Sequence, residues 1–151
     1  MKNLLYDELM NEVINILEKE QNLVFATSAN DIVTARTMCF INNGTTVVFS
    51  TGEDSEKIRQ VRKNPNVALV IGALTIEGTA ELGGFPHKNA DFIEKNNLKY
   101  PWMASAFPFD PDNPSGELVI CRPLKIKLYK FIDSEPHWDI LYITENKAVR
   151  I

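Results

Sequence analysis

The chain has 151 residues, of which 44% are hydrophobic and 24% are charged, so it is long enough for one buried core and short for two domains. We therefore expect a single domain over residues 1–151. The net charge of −4 argues against a nucleic-acid partner and against an anionic membrane, because both attract clustered lysine and arginine. A ligand that carries a phosphate would need a local basic site.

The N-terminal residues and the two cysteines exclude further classes. Residues 1–20 carry acids throughout their apolar pattern, which is not the pattern of a signal peptide or of a membrane-spanning helix. The expected location is therefore the cytoplasm. Cys39 and Cys121 lie far apart, without the CxxC or Cys/His spacing of a zinc site, so we expect no metal and interpret both as small buried residues.

In chain order, the predicted elements begin with an amphipathic helix within residues 1–20, because apolar residues recur there at helical spacing. Two further helical stretches are SEKIRQVRK and HKNADFIEKNN. The other segments are rich in Val, Ile, Thr and aromatic residues, as strands are: LVFATSA, IVTARTMCFI, TTVVFST, NVALVIG, ALTIEGTAEL, ELVICRPLKIKLYKFI and DILYIT. Many strands with few helices predict a mainly β (α+β) domain built on a closed or nearly closed antiparallel sheet.

A hairpin is predicted where Asn43-Gly44 separates two strand-like segments, because this dipeptide is typical of a type I′ turn. With those two residues in the turn, Arg36 would face Thr51. The open end of the hairpin would then be polar.

The chain directly after the hairpin has the features of an anion site. Asp54 or Ser55 can cap a helix whose first turn contains Lys57. The free N–H groups of that turn, the helix dipole and the Lys57 ammonium all favour a negative charge. The hydroxyl groups nearby, on Ser50, Thr51 and Ser55, can donate to it.

Arg36 would project from its strand toward Met38 and Phe49, next to this anion site. The pattern then has a phosphate end and a flat, partly apolar end, which matches the shape of flavin mononucleotide (FMN). A purely structural interpretation is the alternative, since Ser and Thr at a strand end commonly satisfy local backbone groups and a helix lysine is commonly solvated.

The segments ARTMCF, VVFST and SEK, followed by an Asn-Pro dipeptide and a hydrophobic strand, resemble the pyridoxamine 5′-phosphate oxidase-like FMN-binding split barrels. The order of elements extends this resemblance over nearly the whole chain. It implies an antiparallel six-stranded split β-barrel with flanking helices, and a homodimer with FMN at the subunit interface. It also implies the cofactor-binding residues: Arg36, Thr37 and Met38 along the ring and ribityl chain, and Ser50, Thr51, Ser55 and Lys57 around the phosphate.

The long segment KYPWMASAFPFDPDNPSGE is rich in proline and aromatic residues, and irregular segments of that length are often functional. The resemblance implies that a partner subunit closes the flavin site, and Trp102, together with Tyr100 and Phe107, is the candidate for that role. The alternative is that Trp102 only fills a local gap. His87 and His137 are interpreted as surface or cap residues.

The chain departs from the true pyridoxamine-phosphate oxidases near its C-terminus, where it has no Arg-x-His motif and no paired Arg and Trp segment of their kind. This argues against oxidation of pyridoxamine phosphate. The chain looks more like the branch that includes nitroimidazole-resistance and general-stress relatives. We therefore expect an FMN-dependent oxidoreductase that acts on a small molecule such as a nitro compound or a quinone.

No catalytic side chain is assigned, because a bound flavin itself supplies the redox chemistry. Two other functions are left open. The first is a non-catalytic module that binds flavin, haem or a deazaflavin for sensing or storage, and the second is a barrel without a cofactor that serves in association.

Overall fold

The structure is a computed structural model that describes residues 1–151. Its strands are β1 Lys2–Asn3, β2 Leu23–Ala29, β3 Ile32–Met38, β4 Ile41–Asn43, β5 Thr46–Thr51, β6 Asn66–Ile71, β7 Leu74–Leu82, β8 Glu117–Ile132, β9 Glu135–Tyr142 and β10 Lys147–Arg150. Its helices are α1 Tyr6–Lys19, α2 Glu56–Lys63, α3 Ala90–Lys99 and α4 Pro101–Ala106, with a 3₁₀ turn at Pro86–Lys88. None of these helices has the length and apolar composition needed to cross a membrane.

The sheet is antiparallel and split. Hydrogen bonds connect its strands in the order β1-β10-β9-β8-β7-β6-β2-β3, while β5 pairs with β8 and with β4. The 16-residue strand β8 joins the two parts, because its first residues pair with β5 and its last residues pair with β9. No ladder connects β3 to β5, so the barrel is open between them. The predicted mainly β split barrel is confirmed, with ten strands where six were expected.

Apolar side chains hold the two sides of the split together. Phe25 on β2 and Phe49 on β5 meet edge to face, with their ring centroids 4.8 Å apart. Both belong to a core of 22 buried residues that includes Leu9, Val13 and Leu17 of α1. Burial of each such side chain contributes about 1.5 to 3 kcal/mol. The predicted N-terminal amphipathic helix is therefore confirmed, and it covers the barrel interior.

The predicted hairpin forms, but its register is different. β4 and β5 pair Asn43 with Thr46, so the turn residues are Gly44 and Thr45. Of the two turn residues only Gly44 has a positive φ, at +59°, which is the pattern of a type II′ turn. The prediction was wrong because Asn43 is a strand residue and Gly44 occupies the first position of the turn.

The predicted pairing of Arg36 with Thr51 is also wrong. β3 pairs with β2, which places Arg36 opposite Phe25, and Thr51 pairs with Glu117 on β8. The polar ends of β3 and β5 therefore lie on opposite sides of the split and do not form one ladder.

Tyr100 accounts for the break between β3 and β4. Its buried hydroxyl accepts a hydrogen bond from the Phe40 N–H (3.0 Å) and lies 2.9 Å from the Phe40 carbonyl and 2.8 Å from the Gln21 carbonyl. A side chain thus occupies both main-chain groups of Phe40, so the sheet ladder cannot continue there. Because Tyr100 is 2% exposed, it is not available to a second subunit.

Candidate functional site

Helix α2 begins at the split, directly after β5. Ser55 is its N-cap residue, and the first helical hydrogen bond runs from the Arg59 N–H to the Ser55 carbonyl (3.2 Å). The N–H groups of Glu56, Lys57 and Ile58 come before that bond and have no helical partner. The helix start predicted to bind an anion is therefore present, with Lys57 in its first turn.

Ser55 occupies the cap position without capping the helix. Its side chain makes no hydrogen bond to the first turn, and its Oγ is buried without a partner. Burying a hydroxyl without a partner costs about 1 to 3 kcal/mol, and such groups are rare in folded proteins. The arrangement fits a ligand oxygen that hydrogen-bonds to Ser55 Oγ.

A cavity of about 860 Å³ opens beside this helix start, within the range of small-molecule sites. Hydroxyl groups line one side of it, those of Ser50, Thr51 and Ser55, and Phe107 lies on another. Gly116 also lines the cavity, and a Cβ at this position would lie 3.1 Å from Ser50 Oγ. The three hydroxyl residues predicted around a phosphate thus share one cavity.

The charges around the helix start are unevenly distributed. Glu53, Asp54 and Asp110 line the cavity, and no lysine or arginine does. The two predicted cations, Arg36 and Lys57, are absent from that lining. Electrostatics therefore favour an anion on the side of the helix start that has Arg36 and Lys57. They disfavour an anion on the side that has the carboxylates.

Arg36 lies on the inner face of β3 with its guanidinium held by neutral oxygen atoms. Nη1 donates to Thr27 Oγ1 (2.7 Å) and to the Phe25 carbonyl (3.3 Å), and Nη2 donates to Thr34 Oγ1. The six ion pairs of the molecule include neither Arg36 nor Lys57. Both cations therefore lack a carboxylate partner within 4.0 Å.

The charge of Arg36 affects the pKa of Lys57. Burial lowers the pKa of Lys57, and the positive charge of Arg36 lowers it further. Burial likewise lowers the pKa of Arg36, while the charge of Glu56 acts in the opposite direction. An anion near these two partly buried cations would stabilise the charged form of both. The Arg36 charge is therefore close enough to the Lys57 ammonium to affect its pKa.

The other three predicted residues, Thr37, Met38 and Trp102, do not lie together in one place. The Met38 side chain packs against the core, whereas Thr37 is exposed on the other face of β3, as strand alternation requires. Trp102 on α4 is 59% exposed and does not line the cavity. Arg36, Met38 and the α2 residues share the interior side of the split, but the Thr37 side chain does not join them.

Four residues of this region were not predicted from the sequence. Gln60, Thr27 and Thr34 surround the Arg36 guanidinium or its partners. His87 was expected at the surface or as a cap, yet it is half-buried, lines the cavity and has a buried Nδ1 without a partner. The only sequence signal for Gln60 is a polar residue beside the apolar face of a short helix.

The strand order, the split and the helix that starts beside it define an antiparallel split-barrel protein. The family model described as pyridoxamine 5′-phosphate oxidase matches residues 9–129, which is most of the chain. The chain belongs to this family, and the resemblance found in its sequence is confirmed.

Solved structures agree with this assignment. A Listeria innocua protein assigned as a pyridoxamine 5′-phosphate oxidase is 26% identical, with a TM-score of 0.65 over 80% of this chain and 97% of its own. General stress protein 26 from Bacillus anthracis is 23% identical, with a TM-score of 0.65 over 85% and 97%. A pyridoxamine 5′-phosphate oxidase-related, FMN-binding protein from Nostoc punctiforme shares the fold at 12% identity, with a TM-score of 0.64 over 100% and 98%. No curated protein matches the chain.

Proposed function

We propose that this protein binds FMN as a homodimer, with the flavin at the subunit interface, and that it oxidises or reduces a small molecule such as a nitro compound or a quinone. The observation that carries the proposal is the start of α2. There an unpartnered buried hydroxyl, Ser55 Oγ, lies in the same short segment as Lys57, and Lys57 and Arg36 have no carboxylate partner.

The phosphate of FMN is assigned to this helix start. The N–H groups of the first turn and the Ser55 hydroxyl donate to its oxygen atoms, and Lys57 and Arg36 balance its charge. Ser50 and Thr51 supply further hydroxyl groups from the end of β5. In this proposal Arg36 contacts the phosphate and not the ring, because its guanidinium donates to Thr27 Oγ1 and its charge lowers the pKa of Lys57 on α2.

The flavin ring is assigned to the inner side of β3, toward Met38. When bound, the isoalloxazine ring accepts and donates hydride or single electrons, so the protein has to orient it and admit a substrate to one face. Met38, which packs against the apolar core, would contact one face of the ring and exclude water from it. The Nostoc punctiforme relative is described as FMN-binding, which supports flavin as the ligand.

The homodimer is supported by the outer face of the sheet. Val24, Val33 and Val70, on β2, β3 and β6, are 39%, 73% and 45% exposed, and the first pairs with the third across the sheet. Exposed apolar faces of this kind mark interaction sites. A second copy is the expected occupant because β3 is the edge strand at the split: its inner side is assigned to the flavin, and its outer side carries Val33. The exposed Trp102 is the candidate to reach the flavin site of the partner subunit.

The visible absorption spectrum of the purified protein tests the cofactor. We expect a flavin spectrum, and FMN as the nucleotide released on denaturation. The compact anion site has no second phosphate-binding loop for an adenylate, so binding of FAD with equal or higher affinity would contradict the proposal. A haem or deazaflavin spectrum would favour the sensing or storage alternative.

The dimer and the reaction have separate tests. Because a ligand shared by two subunits stabilises the dimer by mass action, sedimentation at low concentration should show more dimer with FMN than without it. A monomer that binds FMN fully would contradict the shared site. Stopped-flow reoxidation of the reduced protein by nitro, quinone and oxygen acceptors then distinguishes an enzyme from a binding module. Oxidation of pyridoxamine phosphate is not expected.

A further inference from the structure

Gln60 on α2 is a buried amide, 5% exposed, on the side of the helix that packs against the barrel. Buried polar groups need hydrogen-bond partners, and this one has three. Its Oε1 accepts from Thr27 Oγ1 (2.5 Å) and from Thr34 Oγ1 (2.7 Å), and its Nε2 donates to the Ile32 carbonyl (3.3 Å). All the partners come from β2 and β3, so the amide joins α2 to the strand pair that carries Arg36.

The hydrogen-bond partners favour one arrangement of the protons in this network. The Ile32 carbonyl can only accept, which places the nitrogen of the Gln60 amide toward Ile32 and the oxygen toward the threonines. Each threonine hydroxyl has one proton, and the contacts with that oxygen, at 2.5 and 2.7 Å, are shorter than the 3.3 Å contact between the two hydroxyls, so both protons are assigned to it. The hydroxyl oxygens of Thr27 and Thr34 are therefore left as acceptors, and the Arg36 guanidinium donates to both.

The network leaves part of Arg36 available to a ligand. A guanidinium has five N–H donors. Both N–H groups of Nη1 are used, by Thr27 and the Phe25 carbonyl, and one on Nη2 is used by Thr34. The Nε–H group and the second Nη2–H group remain. Two donors on one side of a planar group are suited to two oxygens of a phosphate.

We propose that Gln60 is a positioning residue that fixes the Arg36 guanidinium, through Thr27 and Thr34, to receive a phosphomonoester dianion at the start of α2. This inference rests on the proposed FMN site and deepens it. One helix then has two tasks: its first turn binds the phosphate, and its second turn holds the arginine that completes the site. Because Arg36 is positioned before the ligand arrives, binding does not have to immobilise a long flexible side chain.

A purely structural role for the network is the competing explanation, and the chain offers a matched control for it. Asn64 Nδ2, at the end of α2, donates to Ser28 Oγ on β2 (3.0 Å). This bond joins the same helix to the same strand without contacting Arg36. Ser28→Ala therefore removes a hydrogen bond between α2 and β2 and should leave FMN affinity within about twofold of the wild type.

Two sets of variants test the positioning role by titration with FMN and with riboflavin, which lacks the phosphate. Gln60→Leu removes the acceptor of both threonines, and Thr34→Val removes one hydroxyl while Thr34→Ser keeps it. Losing an ordered charge-assisted contact should lower FMN affinity about tenfold in Gln60→Leu and about fivefold in Thr34→Val. Thr34→Ser should restore wild-type affinity, and riboflavin affinity should change less than twofold throughout. Equal losses for both ligands would overturn the inference.

A second measurement needs no flavin. In protein labelled with ¹⁵N-arginine, the side-chain Nη signals of Arg36 should be separate in the wild type, Ser28→Ala and Thr34→Ser, because the guanidinium is held on one side. They should merge in Thr34→Val and Gln60→Leu, where rotation becomes faster. Unchanged signals in both variants would overturn the positioning role even if FMN binds. Ordered Arg36 signals in a wild type that binds no FMN would contradict the proposed function and leave the positioning role standing. If Gln60→Leu does not fold, the comparison of Thr34→Val with Thr34→Ser tests the positioning role by itself.

Discussion

Two half-buried arginines on strands of the same sheet, Arg150 and Arg36, differ in how their positive charge is compensated. Arg150 on β10 donates to the two carboxylate oxygens of Asp139 on β9, from Nε at 2.6 Å and from Nη2 at 2.8 Å, and Lys130 lies 3.0 Å from the same carboxylate. Arg36 on β3 contacts only neutral oxygens, those of two threonine hydroxyls and a carbonyl. A carboxylate within the fold balances the charge of Arg150, and no carboxylate balances the charge of Arg36.

The difference separates a structural cluster from the proposed binding site. Asp139 is 2% exposed and is surrounded by its cations, so that cluster has no need of a ligand. The Arg36 site combines an uncompensated guanidinium, a neighbouring lysine and a helix start with an unpartnered hydroxyl. A buried charge that is held in place but not neutralised is therefore a more specific sign of a ligand than a buried charge alone.

The largest effect is expected at the structural arginine. Asp139→Asn removes the carboxylate that neutralises Arg150 and Lys130, and breaking a buried ion pair in this way typically lowers the free energy of unfolding by about 3 to 5 kcal/mol. Urea denaturation measures this loss. Asp133→Asn, in an exposed turn, is the control and should change the value by less than about 0.5 kcal/mol. A loss below about 1 kcal/mol in Asp139→Asn would show that the cluster is not structural.

Substitution of Lys57, next to Arg36 in the proposed site, should lower ligand affinity and leave stability nearly unchanged. Lys57→Ala removes a charge-assisted contact to the phosphate, so FMN affinity should fall by about 1.5 to 3 kcal/mol, or roughly ten- to a hundredfold. Riboflavin affinity should stay nearly unchanged, and the thermal stability of the apo protein should change little because Lys57 makes no ion pair. Fluorescence quenching with both ligands measures the two affinities. Equal losses would mean that Lys57 supports the fold or the ring.

The smallest effect is a difference in acid stability. Burial alone would raise the pKa of Asp139, but hydrogen bonds from Arg150 and Lys130, together with their charges, outweigh burial and hold this pKa below its usual value. The unfolded chain therefore binds the proton more tightly, so the stabilisation is complete above the unfolded pKa of about 3.9 and is lost as the pH falls through the folded pKa. Between pH 5 and 3, wild-type stability should fall more steeply than that of Asp139→Asn, as measured by denaturation at each pH. Parallel curves would contradict this.

The sequence predicts the local features of the site better than its long-range ones. The start of α2 at Ser55 and the first-turn position of Lys57 are predicted correctly because they depend on neighbours within a few residues, although the Ser55 side chain does not cap the helix. The split barrel follows from strand composition and from the family resemblance. The hairpin register fails because Asn43-Gly44 fits two turn types that differ by one residue on each strand, and only packing selects between them.

The long-range features depend on side chains that find each other across the fold. Tyr100 ends the ladder at Phe40 from 60 residues away, and Gln60 meets Thr27 across 33 residues. Neither pair lies at a spacing that helix or strand periodicity can indicate. The orientation of Arg36 follows from the second pair, which is why the sequence suggests the arginine but not the end of the ligand that it contacts.

The most direct test of the account is the ratio of the wild-type dissociation constants for FMN and riboflavin, measured on the same apo protein. Two cations without carboxylate partners and a helix start should stabilise the phosphate by at least about 3 kcal/mol, which corresponds to FMN binding roughly a hundredfold or more tightly than riboflavin. The ratio should also fall as ionic strength rises, because the preference is electrostatic. Equal affinities for the two flavins at low salt would contradict the assignment of the α2 start as a phosphate site.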